Sequence, residues 1–394
     1  MKAPDPTGDD PSPTTVPLST IVGQWTRLGC IGFGGPPTHI ALLRRMCVEE
    51  RLWIDAAEFE DATATTNLLP GPASTQLAIY CAWRLRGARG AVLGGLGFIA
   101  PGLVLIVGLA AIFLASHPPT WIVGAATGSG AAVPAVAVHA ASRLVPASRR
   151  RIGTRWTRQL RWALYALMGG AAAATVGPYL VLVLVGCGAT EVVVRRQSRP
   201  TTGPARALVP GLALHAAVGG SGALAWVALK VGALSYGGGF VIIPLMQHDA
   251  VTTYHWMTGA QFLSAVALGQ VTPGPVVQTV AVVGYAAGGV GGGLLAALVA
   301  FTPSFLFVVV GGPRFEAIRD NRSVESFLTG AGPAVIGAIG GSAIPLGLAF
   351  GHLWQIPVLA GALLWIFALR RTVVSGLLLA GVVGVAVALG GLPV

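Results

Sequence analysis

The sequence predicts an all-α polytopic membrane protein built from two inverted-topology repeats, each with broken or re-entrant helices. Three observations carry that prediction. The 394-residue chain is 54% hydrophobic and 10% charged, whereas soluble domains carry about 25% charged residues. Apolar runs of bilayer-crossing length, about 17–25 residues, recur along nearly all of it and leave no sizeable soluble domain. The stretch from Gly29 to Ala78 occurs twice, the second time 203 residues later and without a gap.

Fifteen of the fifty paired positions are identical, and the helix-breaking ones are largely among them. Gly34-Gly35 returns as Gly237-Gly238, Trp53 as Trp256, and Pro70-Gly71-Pro72 as Pro273-Gly274-Pro275. Apolar composition alone aligns alanines and leucines. It does not align a Gly pair, a Trp and Pro-Gly-Pro in one register. The chain therefore reads as a cytoplasmic disordered tail (1–16), a first repeat (17–196), a linker with a connecting span (197–229) and a second repeat (230–394).

The tail is rich in Pro, Asp, Ser and Thr and has no apolar core of a signal peptide. Val22 to Leu43 is apolar but interrupted by Gly32-Phe33-Gly34-Gly35-Pro36-Pro37. A Gly costs about 1 kcal/mol and a Pro about 3 kcal/mol in a helix interior, so a break is expected there. After the mixed-charge segment Arg44 to Asp61, Ala62 to Trp83 is broken at Pro70-Gly71-Pro72 and closed by Arg84, Arg86 and Arg89. Unbroken spans follow at 91–115, 121–141, 162–176, 179–194 and 208–229, with an arginine-rich loop at 149–161. The second half repeats the plan, with broken segments at 230–246 and 262–283 and spans at 291–310, 327–350, 354–369 and 373–389. The total is about nine spans and four re-entrant hairpins, thirteen hydrophobic segments in all.

Charge sets the orientation. Basic loops favour the cytoplasmic side. Arg44, Arg45, Arg51, Arg84, Arg86 and Arg89 flank the first Pro-Gly-Pro segment on both sides, and the matching loops of the second half, 247–256 and 284–289, hold no Lys or Arg. Each Pro-Gly-Pro segment is thus expected to enter and leave by one face, cytoplasmic in the first half and external in the second. The N-terminus then falls in the cytoplasm, and every basic cluster lands on that side. The net charge of +11 is scattered in such loops, which argues against a nucleic-acid partner.

Paired breaks in inverted halves are a transporter design in which substrate sits at the repeat interface and unwound backbone supplies its ligands. Free N–H groups at the start of a half-helix carry partial positive charge and bind oxyanions, so the residues point to a small anion. The candidate site comprises Gly34, Gly35 and Pro36; Pro70, Gly71 and Pro72; Tyr236, Gly237, Gly238 and Gly239; and Pro273, Gly274 and Pro275. Small polar side chains beside them, Asn67, Ser74, Thr75 and Gln76 in the first half and Gln270, Gln278 and Thr279 in the second, supply hydrogen bonds without a buried charge. Arg27 and Lys230 are equivalent positions, each two residues before the repeat's first Gly, and read as a matched pair of cationic gates; interfacial snorkelling is the plainer alternative. His39 aligns with Ile242 and is a one-sided substrate or proton ligand. Four scattered cysteines have no metal spacing, no Walker A or hydrolase motif is present, and neither a cofactor nor enzymatic chemistry is expected.

On these motifs the chain resembles the long-chain members of the chromate ion transporter family. The likeness rests on Phe33-Gly34-Gly35-Pro36 with His39-Ile40-Ala41, and on Leu69-Pro70-Gly71-Pro72 with Gln76-Leu77-Ala78. In the second half it rests on Tyr236-Gly237-Gly238-Gly239 with Ile243-Pro244, and on Pro273-Gly274-Pro275 with Gln278-Thr279 and Gly284-Tyr285. It covers residues 17 to 392, and Thr38 stands where an alanine is common. The resemblance implies efflux of chromate, a sulfate-like dianion, across the bacterial inner membrane by an antiparallel duplicated carrier, driven by the membrane potential or a proton gradient. A sulfate or other oxyanion carrier, or an anion channel, shares the architecture. The partners so implied are the dianion, the lipid bilayer and, as a homodimer, a second copy of the chain.

Overall fold

A computed structural model describes residues 16–67, 71–175, 179–197, 220–235, 240, 242–311 and 321–394. Nearly all of the expected tail, most of the linker, and the candidate residues Pro70, Tyr236, Gly237, Gly238 and Gly239 lie outside the described residues. Every regular element among the described residues is a helix. The first half holds α1 Leu18–Ile31, α2 Pro36–Arg44, α3 Ala56–Thr66, α4 Ala73–Phe113, α5 Thr120–Ala131, α6 Val133–Ile152, α7 Trp156–Thr175 and α8 Leu180–Gln197. The second holds α9 Ser221–Leu234, α10 Ile242–Gln247, α11 Gly259–Val271, α12 Thr279–Gly311, α13 Arg322–Gly341, α14 Ala343–Leu348, α15 Gln355–Leu363 and α16 Val373–Leu389.

Element boundaries recur with the sequence. α9 has the length of α1 and starts 203 residues after it; the starts of α3 and α11 stand the same distance apart. So do two π turns, Arg45–Glu50 after α2 and His248–Thr253 after α10. Local chemistry sets these starts. The Asp55 carboxylate accepts from the amides of Ala57 (2.8 Å) and Glu58 (3.4 Å) to cap α3. Thr258 and Gln261 form a reciprocal capping box on α11.

α4 and α12 each fold back on themselves. The bend in α4 lies at Arg86 (φ −145°, ψ 28°) and Gly87 (φ 57°, ψ −149°); that in α12 lies at Gly288 (φ −161°, ψ 32°) and Gly289 (φ 62°, ψ −153°). The arms then press together so closely that Gly90 leaves no room for a Cβ beside the Ala82 carbonyl, nor Gly292 beside that of Gly284. The arginine stretch expected to be a loop after Trp83 is therefore a sharp helical bend.

A belt of polar contacts fixes where the first half's short helices begin and end. Arg44 pairs with Glu60 at 2.9 Å, Arg84 with Glu58 at 2.5 Å, and Arg86 donates to the Val16 carbonyl at 3.2 Å. The start of α1, the end of α2, the start of α3 and the bend of α4 thus share one level. α1–α2 and α3–α4 are two hairpins with their tips at the Gly-Gly and Pro-Gly-Pro breaks.

The halves interleave. α5 packs on α16, where Gly124 meets the Gly384 backbone and Ser129 donates to the Leu377 carbonyl at 3.0 Å. α13 packs on α7 and α8 through Gly337 against Ala166 and Gly330 against Cys187. Small residues at such crossings let backbones approach where lipid supplies no hydrophobic drive. Four helical stretches are long and apolar enough to cross a membrane: Ala73–Phe113, Thr120–Ile152, Val276–Gly311 and Arg322–Leu348. Val104, Leu298, Leu306, Val382 and Leu389 lie exposed on their outer surface and on α16. The chain is a helical membrane protein. Two local expectations differ from the structure. The spans at 121–141 and 327–350 are each two helices, meeting at Ala132 and at Ser342. The arginine-rich loop is helical except at 153–155, with Arg149, Arg150 and Arg151 in the last turn of α6, where cations face the carbonyl end of the dipole.

Candidate functional site

The four breaks were expected to matter as pairs; three of them fall among the described residues, at Gly34-Gly35, Gly71-Pro72 and Pro273-Gly274-Pro275. Gly71 (φ 117°) and Gly274 (φ 98°) take the same backbone conformation, open to glycine. Each lies against the opposite half. The Gly274 amide donates to the Gly32 carbonyl at 2.9 Å. A Cβ on Gly71 would stand 3.4 Å from the Gly232 carbonyl.

Helix packing explains the exchange. α1 runs parallel to the second arm of α4, with Gly94 beside Trp25 and Gly29 beside Phe98; α9 runs parallel to the second arm of α12, with Gly292 beside Leu224 and Gly232 beside Ala300. One turn beyond the first crossing are Gly32 and Gly102, and the Pro273 carbonyl sits where a Cβ on Gly102 would be. One turn beyond the second are their counterparts, Ser235 and Ser304.

Helix N-termini gather at the same place. His39, in the first turn of α2, meets Ser74, in the first turn of α4, with Nδ1 and Oγ 3.2 Å apart. A Cβ on Gly35, the N-cap of α2, would stand 3.7 Å from the Val276 side chain, and Val276 opens the 3₁₀ turn Val276–Gln278 that leads into α12. Pro72 and Pro275 precede the other two starts. The leading amides of such turns have no intrahelical acceptor, and their partial positive charges add.

His39 is buried and locked. Its Nε2 lies 2.9 Å from the Gly32 carbonyl. A carbonyl only accepts, so Nε2 carries the proton and Nδ1 accepts from the Ser74 hydroxyl. The ring edge meets Phe98, 5.1 Å between centroids. Several other side chains here are buried without a partner among the described residues: the hydroxyls of Thr75, Ser235 and Ser304, Nε2 of Gln270 and Oε1 of Gln278. Buried polar groups normally find one. Gln278 spends its amide N–H on the Ile99 carbonyl at 3.0 Å, and Thr279 its hydroxyl on that of Val276 at 2.8 Å. Among the described residues, the buried side chains of the Asp, Glu, His, Lys and Arg types are His39, Glu191 and Asp249. Neutral dipoles and hydroxyl donors line the crossing.

Three expected residues stand apart. Asn67 caps its own helix by donating to Thr63 at 2.8 Å. Arg27 is exposed on α1. Lys230 is held in an ion pair with Asp249. Glu191, used by Arg161 (3.0 Å) and Arg195 (2.9 Å), ties α7 to α8 away from the breaks.

The sequence profile described as chromate transporter matches two stretches, 19–192 and 222–387, whose starts are 203 residues apart. The chain belongs to the chromate transporter family. It is similar to a probable chromate transport protein of Synechococcus elongatus, 31% identical over 84% of each chain. It is also similar to chromate transport proteins of Cupriavidus metallidurans, 32% identical over 84% of this chain and 83% of that one, and of Pseudomonas aeruginosa, 30% identical over 85% and 82%. No solved structure matches the chain.

Within this member of the chromate transporter family, sequence reasoning missed Ser235, Ser304 and Asp249. Their counterparts in the first half are Gly32, Gly102 and Met46, so the repeat offered no second polar residue to mark them. Carrying the repeat past residue 281 at an offset shortened by one sets Ser304 opposite Gly102.

Proposed function

We propose that this chain carries chromate out of the bacterial cytoplasm as a secondary transporter, not an enzyme. The observation that supports this most is the meeting of helix N-termini with unpartnered buried hydroxyls where the two halves cross, in a chain whose relatives are named chromate transport proteins. A tetrahedral dianion loses its water on entering. Leading amides of α2, α4 and the Val276 turn, with Thr75, Ser235, Ser304 and Gln270 as side-chain donors, replace that hydration. Among the described residues no Lys or Arg is placed at the crossing itself, which favours release as well as entry.

In this reading the hairpins are re-entrant and the halves inverted. The belt of Arg44, Glu58, Glu60, Arg84 and Arg86 faces the cytoplasm together with the N-terminus, while Thr253 and Gly288 face outward. The two faces reach the crossing in turn as one half rocks against the other. Energetics favour export: a charge moving through 100 mV gains about 2.3 kcal/mol, so a dianion gains about 4.6 kcal/mol. That supports a concentration ratio on the order of 10³ at 1.4 kcal/mol per tenfold, and no proton is required.

Inside-out membrane vesicles test it. Chromate uptake should rise with an imposed interior-positive potential at equal pH on both sides, and sulfate should compete. Uptake driven by a pH gradient and indifferent to potential would replace the proposed driving force. Absence of chromate uptake would refute the function.

A further inference from the structure

Lys230 and Asp249 form an ion pair inside the second half, between α9 and the π turn His248–Thr253. Their side chains are only 17% and 11% exposed, and the ammonium also lies 5.9 Å from the Trp226 ring centre. The pair is not needed to build the hairpin. In the first half the same positions are Arg27 and Met46; Arg27 is exposed and makes no ion pair among the described residues, yet α1, α2 and the π turn Arg45–Glu50 form alike. A charge pair that the fold does without in one copy asks for another role.

Lys230 lies five residues before Ser235 on α9, about 7.5 Å along the helix axis. Its backbone is therefore within one and a half turns of the crossing, and its ammonium reaches back from there toward Trp226 and Asp249, on the second half's side. A carboxylate on an ammonium is chemically the same contact as an oxyanion on it. We infer that Asp249 is an internal counter-anion that competes with the transported oxyanion for Lys230 and so sets low affinity on the second half's side. This rests on the transport reading above and extends it. An oxyanion leaving the crossing takes Lys230 from Asp249; the pair re-forms behind it and opposes return. Asp249 is an affinity-setting residue that acts through Lys230 rather than by touching the anion.

Purified full-length protein is titrated with chromate, and the half-saturating concentration for thermal stabilisation is read for each variant. Asp249→Asn leaves Lys230 without its competitor and should lower that concentration about tenfold, whereas Lys230→Gln should raise it about tenfold. The double variant should follow Lys230→Gln. A staple of purely structural value would move both single variants in the same direction, or neither; either result overturns the inference, as does a wild type that chromate does not stabilise. Where Asp249→Asn does not accumulate, Lys230→Arg decides: a two-pronged guanidinium holds the carboxylate better and should raise the concentration about threefold, and an unchanged value refutes the idea. Wild-type vesicles that carry no chromate would end the transport reading, while the stabilisation series still judges this one.

Discussion

The Gly274 amide and the Gly32 carbonyl, 242 residues apart in sequence, are joined by a 2.9 Å hydrogen bond. That bond sets the Pro-Gly-Pro break of one half onto the Gly-Gly break of the other. The same carbonyl accepts from His39 Nε2, and His39 in turn receives the Ser74 hydroxyl. One imidazole therefore ties two breaks of the first half to the break of the second.

His39→Ala is expected to strand the Ser74 hydroxyl in a buried site and to halve what the Gly32 carbonyl receives. Each buried group without a partner costs about 1–3 kcal/mol. Chromate uptake should fall at least tenfold by order of magnitude, with a lower melting temperature of the purified protein. Wild-type values of both would show that the imidazole merely fills space.

Gly71→Ala and Gly274→Ala should fail alike. Both positions hold a positive φ that a side chain adopts at a cost of about 1–3 kcal/mol. The added Cβ would stand 2.5 Å from Gln76 Nε2 or 2.8 Å from Gln278 Nε2. Gly288→Ala is the control, since its Cβ would meet open space and its φ is −161°; it should change stability by no more than about 0.5 kcal/mol. Denaturation of the three purified variants checks this, and a Gly288→Ala as damaged as the other two would contradict it.

The proposed inversion would place Ala88 and Thr253, both exposed, on opposite sides of the membrane. With exposed Cys30 replaced by Ser, single cysteines at these positions should react with an impermeant thiol reagent in intact cells at Thr253 only. Labelling of both, or of Ala88 alone, would rule the arrangement out.

The sequence showed the breaks plainly, because Gly and Pro act on the backbone wherever they stand. Charge marked the level at which α2, α3 and the bend of α4 meet, where Arg44 pairs with Glu60 and Arg84 with Glu58. Register past the second break was harder to read. A gap-free offset pairs Gln76 with Thr279, yet Gln76 and Gln278 both reach back to the glycine of their own break, five residues earlier in one half and four in the other. The 3₁₀ turn Val276–Gln278 accounts for the missing residue: three residues rising about 2.0 Å each span what four α-helical residues span at about 1.5 Å. The bends at Gly87 and Gly289, and Pro101 and Pro303 beyond them, keep the shortened offset. The exchange of contacts between halves was not legible, because it depends on where α1 and α9 cross the long arms, and no local pattern records a crossing.

The central claim is that an oxyanion passes where these crossings meet. Thr75→Val, Ser235→Ala and Ser304→Ala combined in one chain test it most directly, because those hydroxyls have no partner to lose among the described residues. Removing unpartnered buried groups should leave the melting temperature unchanged or slightly raised. In reconstituted vesicles the half-saturating chromate concentration should rise at least tenfold by order of magnitude, three lost donors to an anion being worth more than 1.4 kcal/mol together. An unaltered half-saturation in a fully folded triple variant would contradict the account.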